Sequence, residues 1–378
     1  MARIRSYKNI LLIILFAVAL STPILVQLSG YKLKVITTEN RPKANMPVFN
    51  MIKIKDLNKQ LGLYFKDYNT YFEDNFAFRE MLIEFYSYLK LGILRSDPFP
   101  EKIIIGREGW QFLGEAHSNT ISETKGILNF SQSDLDLISK NMSESMLFLD
   151  SLNIRLYLAI APEKSTVYGD YLPIRKSTNQ TKLDQVKNRL ATIGCRVIDL
   201  KDDLTKIQNP YIFYKTDSHW NEIGGFLGSQ TLMKRLKNDY SMLPVLEMAD
   251  FSIDTITDYQ GDNAKLLFLH WPENKYIFTL NIPLEVIAKE KEYTVPSTYL
   301  WNPANYERRY STSQNKLKVL IFHDSFFREF PKFLSPAFGE TVFIWAWWNK
   351  AIILNEKPDI VIYEKVERDI DHLLYPLK

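Results

Sequence analysis

Two stretches, RLYLAIA at Arg155–Ala161 and LKVLIF at Leu317–Phe322, are nearly unbroken runs of apolar, often β-branched residues. A strand with one wet face alternates polar with apolar residues; a short run that does not alternate reads as a strand buried on both faces. Strand-like runs at Cys195–Leu200, Thr341–Trp347 and Asp359–Tyr363 join them, separated by helical patterns at Ser133–Leu152, Lys182–Ile193 and Asn221–Leu236. Strands alternating with helices predict an α/β fold whose mostly parallel sheet is covered by helices on both faces. Lys102–Gly106 and Trp110–Leu113 read as two further strands with Gly109 in the turn between them. Tyr240–Tyr310 follows no single period and reads as an insertion of short strands and loops.

Ahead of that domain the chain changes character twice. Arg3, Arg5 and Lys8 precede an uncharged stretch from Asn9 to Tyr31 whose apolar centre is Ile10–Leu28, near the ~20 residues a bilayer-spanning helix needs. The basic flank orients the N-terminus to the cytoplasm and the rest outside. The small residues around Ala17–Ser21 also suit a cleaved signal peptide, but the run is long for one and lacks a small-x-small cleavage site. A retained signal anchor over residues 1–31 is therefore the expectation. Residues 32–100 hold a polar linker at Lys32–Asn50, with Pro42 and Pro47, and then two amphipathic helices. Their aromatic stripe, Tyr64, Phe65, Tyr68 and Phe72, then Phe85 and Tyr86, is expected to pack as the core of a small helical cap or stalk. Residues 101–378 form the main domain.

Composition excludes several function classes. A net charge of +3 with both signs interspersed leaves no nucleic-acid footprint. The one cysteine, Cys195, rules out an intrachain disulfide and any multi-cysteine metal site. No HExxH, Walker loop or G-x-G-x-x-G occurs, so metal and nucleotide chemistry have no motif to rest on, and no cofactor is expected. Aromatics make up 13% of the chain, which suits the handling of flat sugar rings but is also ordinary core material.

What remains is nucleophilic serine chemistry. The strand Leu317–Phe322 ends in His323-Asp324-Ser325, and open α/β sheets place their chemistry at the carboxyl ends of strands. Ser325 would present its hydroxyl there, with its own N–H available to an oxyanion; the plainer reading is that Asp324-Ser325 caps a turn. Upstream, IFYKTDSHWNEIGG places Asp217 two residues before His219. In an extended segment such residues share a face, so the carboxylate can orient the imidazole and leave its other nitrogen for a serine. The plainer alternatives are a helix-start cap for Asp217 and a surface or hydrogen-bonded histidine for His219. Lys164, just past Ala161, and Arg328 are secondary candidates for substrate or oxyanion contact, each otherwise an ordinary surface cation. Trp220 is a candidate for stacking on a sugar, as are Trp345, Trp347 and Trp348, although core packing suits the apolar strand positions Trp345 and Trp347 better.

TDSHWN followed at a distance by a strand ending in DSF resembles the SGNH-hydrolase-like proteins of the alginate O-acetyltransferase family, in which the Asp-x-His block precedes the serine block by circular permutation. ENRPKANMP, YFEDNFAFRE, GREGWQFL, APEKSTVYGDYLP, YQGDNAKLL and KPDIVIYEKVER extend the resemblance from Glu39 to about Asp369. It implies an SGNH-like three-layer α/β/α domain with Ser325 as nucleophile, His219 as general base and Asp217 as its orienting carboxylate. It further implies acetyl transfer to hydroxyls of an extracytoplasmic polysaccharide, with a membrane-bound O-acyltransferase as the partner supplying acetyl. The family's usual Gly-Asp-Ser stands here as His323-Asp324-Ser325, so this turn must adopt a conformation that a non-glycine residue tolerates. The SGNH oxyanion Asn has no assignable counterpart. An esterase using the same three residues, and a non-catalytic glycan-binding assembly subunit, are the competing functions.

Overall fold

The computed structural model describes residues 2–29, 43–49, 57–175, 180–204, 211–281, 288–291, 307–312 and 315–377. These divide into two compact units, residues 1–98 with 264–270, and residues 99–263 with 271–378. The linker expected at 32–50 lies largely outside the described residues, as do 282–287 and 292–306 of the expected insertion.

In the first unit, helix α1 (Ala2–Leu28) contains Tyr7–Val26, a stretch of mean hydropathy 2.5 that is long and apolar enough to cross a membrane. Helices α2 (Leu57–Asn75) and α3 (Arg79–Gly92) follow. The EDN of YFEDNFAFRE ties the segment before them: Asp74 accepts from the Ala44 N–H at 2.9 Å and Asn75 donates to the Ala44 carbonyl at 3.0 Å. The aromatic stripe is not core, contrary to the sequence expectation. Phe65 and Phe85 are 58% and 65% exposed, because two helices this short bury only the flanks that face each other.

In the second unit, β1 (Ile103–Ile105) pairs antiparallel with β2 (Gln111–Leu113) across a turn where Gly109 has φ +78°. Then come α4 (Gln132–Ser151), β3 (Arg155–Ala161), α5 (Lys182–Ala191), β4 (Val197–Asp199) and α6 (Glu222–Asp239). The remaining elements are β5 (Phe251–Tyr259), β6 (Glu273–Leu280), β7 (Lys289–Lys291), β8 (Glu307–Ser311), β9 (Lys318–Phe322), β10 (Glu340–Ile344), α7 (Lys350–Glu356) and β11 (Ile360–Val366). Helices α4 and α5 begin at Ser131 and Thr181, whose hydroxyls accept the Asp134 and Asp184 N–H groups while those aspartates answer the cap residues.

The main sheet has the order β4-β3-β11-β9-β10-β8-β7. Its first five strands are parallel, and β8 and β7 add antiparallel edges. The apolar runs serve two cores at once. Along β3, Tyr157, Ala159 and Ala161 face one core while Leu156, Leu158 and Ile160 face the other; β9 divides Val319 and Ile321 from Leu320 and Phe322 in the same way. Helix α6 covers the first face, and α4, α5 and α7 cover the second. Each fully buried Leu, Ile or Phe contributes roughly 1.5–3 kcal/mol relative to exposure, which explains why these strands carry so few polar residues. Cys195 is buried in the second core, where burial pushes its thiol up to about 12, so it is inert.

Only part of the region at Tyr240–Tyr310 lies among the described residues. It holds the two-stranded β5–β6 hairpin and also supplies β7 and β8 to the main sheet. The strand expected at Thr341–Trp347 stops at Ile344, so Trp345 and Trp347 lie beyond it, and Trp347 is 40% exposed against Tyr375.

Candidate active site

Ser325 stands just past the carboxyl end of β9, the fourth of seven strands in the sheet order. Asp324 caps the turn that follows, its carboxylate accepting the Phe326 N–H at 2.9 Å. The capping reading therefore holds for Asp324, and the cap fixes the turn that presents the Ser325 hydroxyl. His323 is absent from the left-handed backbone conformations of the described residues. The turn thus adopts a shape that any residue tolerates, and glycine's freedom is not needed. His323 is buried, with its N–H on the Ile344 carbonyl and Nδ1 2.7 Å from the Asp324 carbonyl oxygen.

Asp217 and His219 occupy a loop closed by a bridge between Phe213 and Trp220. The residues between are bends, not the extended segment expected from sequence. Asp217 Oδ1 instead accepts the His219 backbone N–H at 3.1 Å, an Asx-type turn that folds the i and i+2 side chains together. His219 Nδ1 then lies 2.7 Å from the same oxygen, and His219 Nε2 lies 2.8 Å from Ser325 Oγ. With Nδ1 carrying its hydrogen toward the carboxylate, Nε2 is the acceptor for the serine hydroxyl.

Two side chains that sequence reasoning left unassigned, Tyr259 and Glu273, and the backbone at Gly261-Asp262 hold this loop. The Asp217 carboxylate is buried, and its second oxygen accepts the Tyr259 hydroxyl at 2.6 Å and the Asp262 N–H at 3.0 Å. Burial alone would raise this carboxyl; the His219 hydrogen bond and charge, with the Tyr259 hydroxyl, outweigh it and hold the group well below the usual carboxylate range. Glu273, on β6, accepts the Lys215 and Thr216 N–H groups, each at 2.7 Å. Gly261 passes so close that an added Cβ would stand 2.2 Å from the Thr216 carbonyl oxygen. YQGDNAKLL and Asp217 therefore depend on each other. Asp262 also belongs, with Asp217 and His219, to a group whose donor atoms lie within 4.8 Å, as a metal would require. Both Asp217 oxygens and both His219 nitrogens are already engaged in the hydrogen bonds just given.

The secondary candidates take up different places. Lys164 does not face the cleft. It is 1% exposed, and its Nζ donates to the carbonyls of Gln111 at 2.6 Å, Lys215 at 3.0 Å and Asp217 at 2.7 Å. Burial pushes its ammonium down to about 7, and its chemistry here is to tie β2 to the backbone of the Asp217 loop. Trp220 packs on Phe330 at 5.6 Å and donates to the Phe326 carbonyl at 3.0 Å, so its ring braces the serine turn from the core side and is not laid open for a sugar. Arg328 lines the cleft beside His219, along with Tyr214, Tyr259, Lys275, Glu329 and an edge of the largely buried Trp220.

A mostly parallel sheet covered by helices on both faces, with Ser325, His219 and Asp217 together at its carboxyl edge, is consistent with an SGNH-hydrolase-like fold. A family model described as the SGNH hydrolase-like domain of acetyltransferase AlgX matches residues 103–345. The chain belongs to that family of acetyltransferases. Among solved structures it is similar to Bacillus cereus PatB1 carrying a sulfonyl adduct, at 16% identity and a TM-score of 0.56, over 73% of this chain and 97% of that one. It is also similar to a DHHW family protein from Eubacterium siraeum, at 12% identity and a TM-score of 0.50, over 73% and 99% of the two chains. These likenesses show the shared fold. No curated protein matches the sequence.

Proposed function

We propose that the chain is an O-acetyltransferase that moves acetyl onto hydroxyls of an exported cell-surface polysaccharide through an acyl-serine at Ser325. The observation that carries this reading is the continuous relay from Ser325 Oγ through His219 Nε2 and Nδ1 to Asp217, at 2.8 and 2.7 Å. As Ser325 Oγ bonds to the acetyl carbonyl carbon, His219 Nε2 takes the hydroxyl proton, and the imidazolium is stabilised by the Asp217 carboxylate. Collapse of the tetrahedral adduct breaks the bond to the donor's leaving group, which takes that proton from His219. An acceptor hydroxyl then enters. His219 removes its proton, the sugar oxygen attacks the acyl-serine, and Ser325 leaves with the proton returned to it. The Ser325 N–H is the candidate oxyanion donor.

The span at Tyr7–Val26 supports a retained inner-membrane anchor with the sheet domain outside the cytoplasm. Acetyl would then reach the site from a membrane-bound O-acyltransferase partner. The same relay would serve an esterase, and an intact relay speaks against a decayed, purely binding site. Product partition separates these readings. With an activated acetyl ester and a polysaccharide acceptor, the transferase forms acetylated polymer at the expense of free acetate. An acetate yield indifferent to the acceptor would make the protein an esterase.

A further inference from the structure

Strand β11 reads IVIYEKV and is buried along its whole length. Ile360, Ile362 and Val366 supply the core under α6, and the alternation puts Glu364 on that same face at 0% exposure. A carboxyl in the interior of a central strand needs a reason.

Its neighbours supply one. Tyr363 pairs with Phe322, the last residue of β9, so Glu364 lies level with the turn that carries the nucleophile. One Glu364 oxygen accepts the Asp324 N–H at 2.9 Å. In return the Asp324 carboxylate accepts the Val366 N–H at 2.8 Å, as well as the Phe326 N–H at 2.9 Å. The turn is thus stitched to the end of β11 through Asp324, the residue just before Ser325, and the two carboxyl side chains adjoin.

No ion pair to either carboxyl is found among the described residues. Lys365 holds its ammonium over the Tyr363 ring at 5.2 Å, and Arg368 pairs with Glu163 at 2.5 Å while its guanidinium lies over Phe326 at 5.5 Å. His323, the other titratable side chain of the turn, bonds to the Asp324 carbonyl. Two adjoining carboxyls with no ion-pair partner share a proton. Asp324 accepts an amide N–H on each oxygen, as a carboxylate does, whereas Glu364 Oε1 is buried with no donor. That orphan oxygen is tolerable as the carbonyl of a neutral acid and expensive as half of a carboxylate. Burial, and then the charge of Asp324, push the Glu364 carboxyl well above its ordinary range.

We propose that Glu364 is a positioning residue of the transfer site, a neutral acid that donates its hydroxyl hydrogen to Asp324 and so keeps the Ser325 turn in reach of His219. The proposal rests on the reading of Ser325 as nucleophile. Glu364→Gln keeps a donor and an acceptor in the same volume; Glu364→Leu keeps only the volume.

The test uses the full chain in detergent. Infrared difference spectra between wild type and E364Q at neutral pH are expected to show a protonated-carboxyl C=O band, shifted by deuteration. In turnover of an activated acetyl ester, E364Q should keep kcat within about threefold, and E364L should lose roughly tenfold to a hundredfold in kcat, the range of one charge-assisted hydrogen bond, with KM little changed. Absence of the carboxyl band overturns the proposal, as does an E364L variant as fast as wild type. Should E364L fail to fold, the infrared band and the E364Q rate still decide. If Ser325→Ala abolishes turnover while E364L is unaffected, this proposal alone falls; if Ser325→Ala remains fully active, the nucleophile reading falls and this proposal with it.

Discussion

Asp217 collects four donors: the backbone N–H and Nδ1–H of His219, the Tyr259 hydroxyl and the Asp262 N–H. At 2% exposure, a carboxylate so held is a rigid abutment for the imidazole. Tyr259→Phe removes one charge-assisted bond, typically about 1.5–3 kcal/mol, and lets the Asp217 carboxyl rise toward its usual range. The expected outcome is a kcat lower by about tenfold or more with KM nearly unchanged, read in steady-state ester turnover. His323 gives a pH signature at the same scale. Burial lowers its imidazole from 6.5 to about 4. Between those values the unfolded chain binds a proton that the folded chain does not, so stability falls as pH drops from 6.5 toward 4. The loss amounts to about 3 kcal/mol. In urea melts across that range, His323→Gly should flatten this acid-side slope relative to wild type, while an unchanged slope would assign it to other groups.

At the scale of elements, the parallel strands and their helices were legible because burial on two faces leaves an unbroken apolar run, as β3 and β9 show. Ser325, His219 and Asp217 were legible because short motifs marked them. Tyr259, Asp262 and Glu273 were not: each acts through one to three hydrogen bonds from the end of a strand or turn, and no periodicity announces a hydrogen bond made across the fold. Lys164 was misplaced for a related reason. A lysine after a strand end looks solvated until β2 and the Asp217 loop close over it with three carbonyls. The loop's dependence on its neighbours has a direct consequence at Gly261. Gly261→Ala should push the Thr216 backbone off its contact, costing about 1–3 kcal/mol of stability. It should also lower kcat further than the melting change explains, because Thr216 precedes Asp217. Thermal melts and turnover on one preparation measure both.

At the scale of the molecule, a helix fit to span a bilayer and a sheet domain of an acetyltransferase family share one chain. The full chain is expected in the membrane fraction, and a version beginning at Lys32 should be soluble with ester turnover retained; fractionation and assay together check this. The exposure of the aromatic faces of α2 and α3 was not legible, because helical spacing identifies a face without saying what covers it. The claim on which the rest stands is that Ser325 becomes acylated. Intact-protein and peptide mass spectrometry after brief exposure to an activated acetyl ester at mildly acidic quench should find one acetyl group on Ser325, lost in Ser325→Ala and strongly reduced in His219→Ala. Turnover of the ester with Ser325 unmodified at every time point, or full activity in Ser325→Ala, would contradict it.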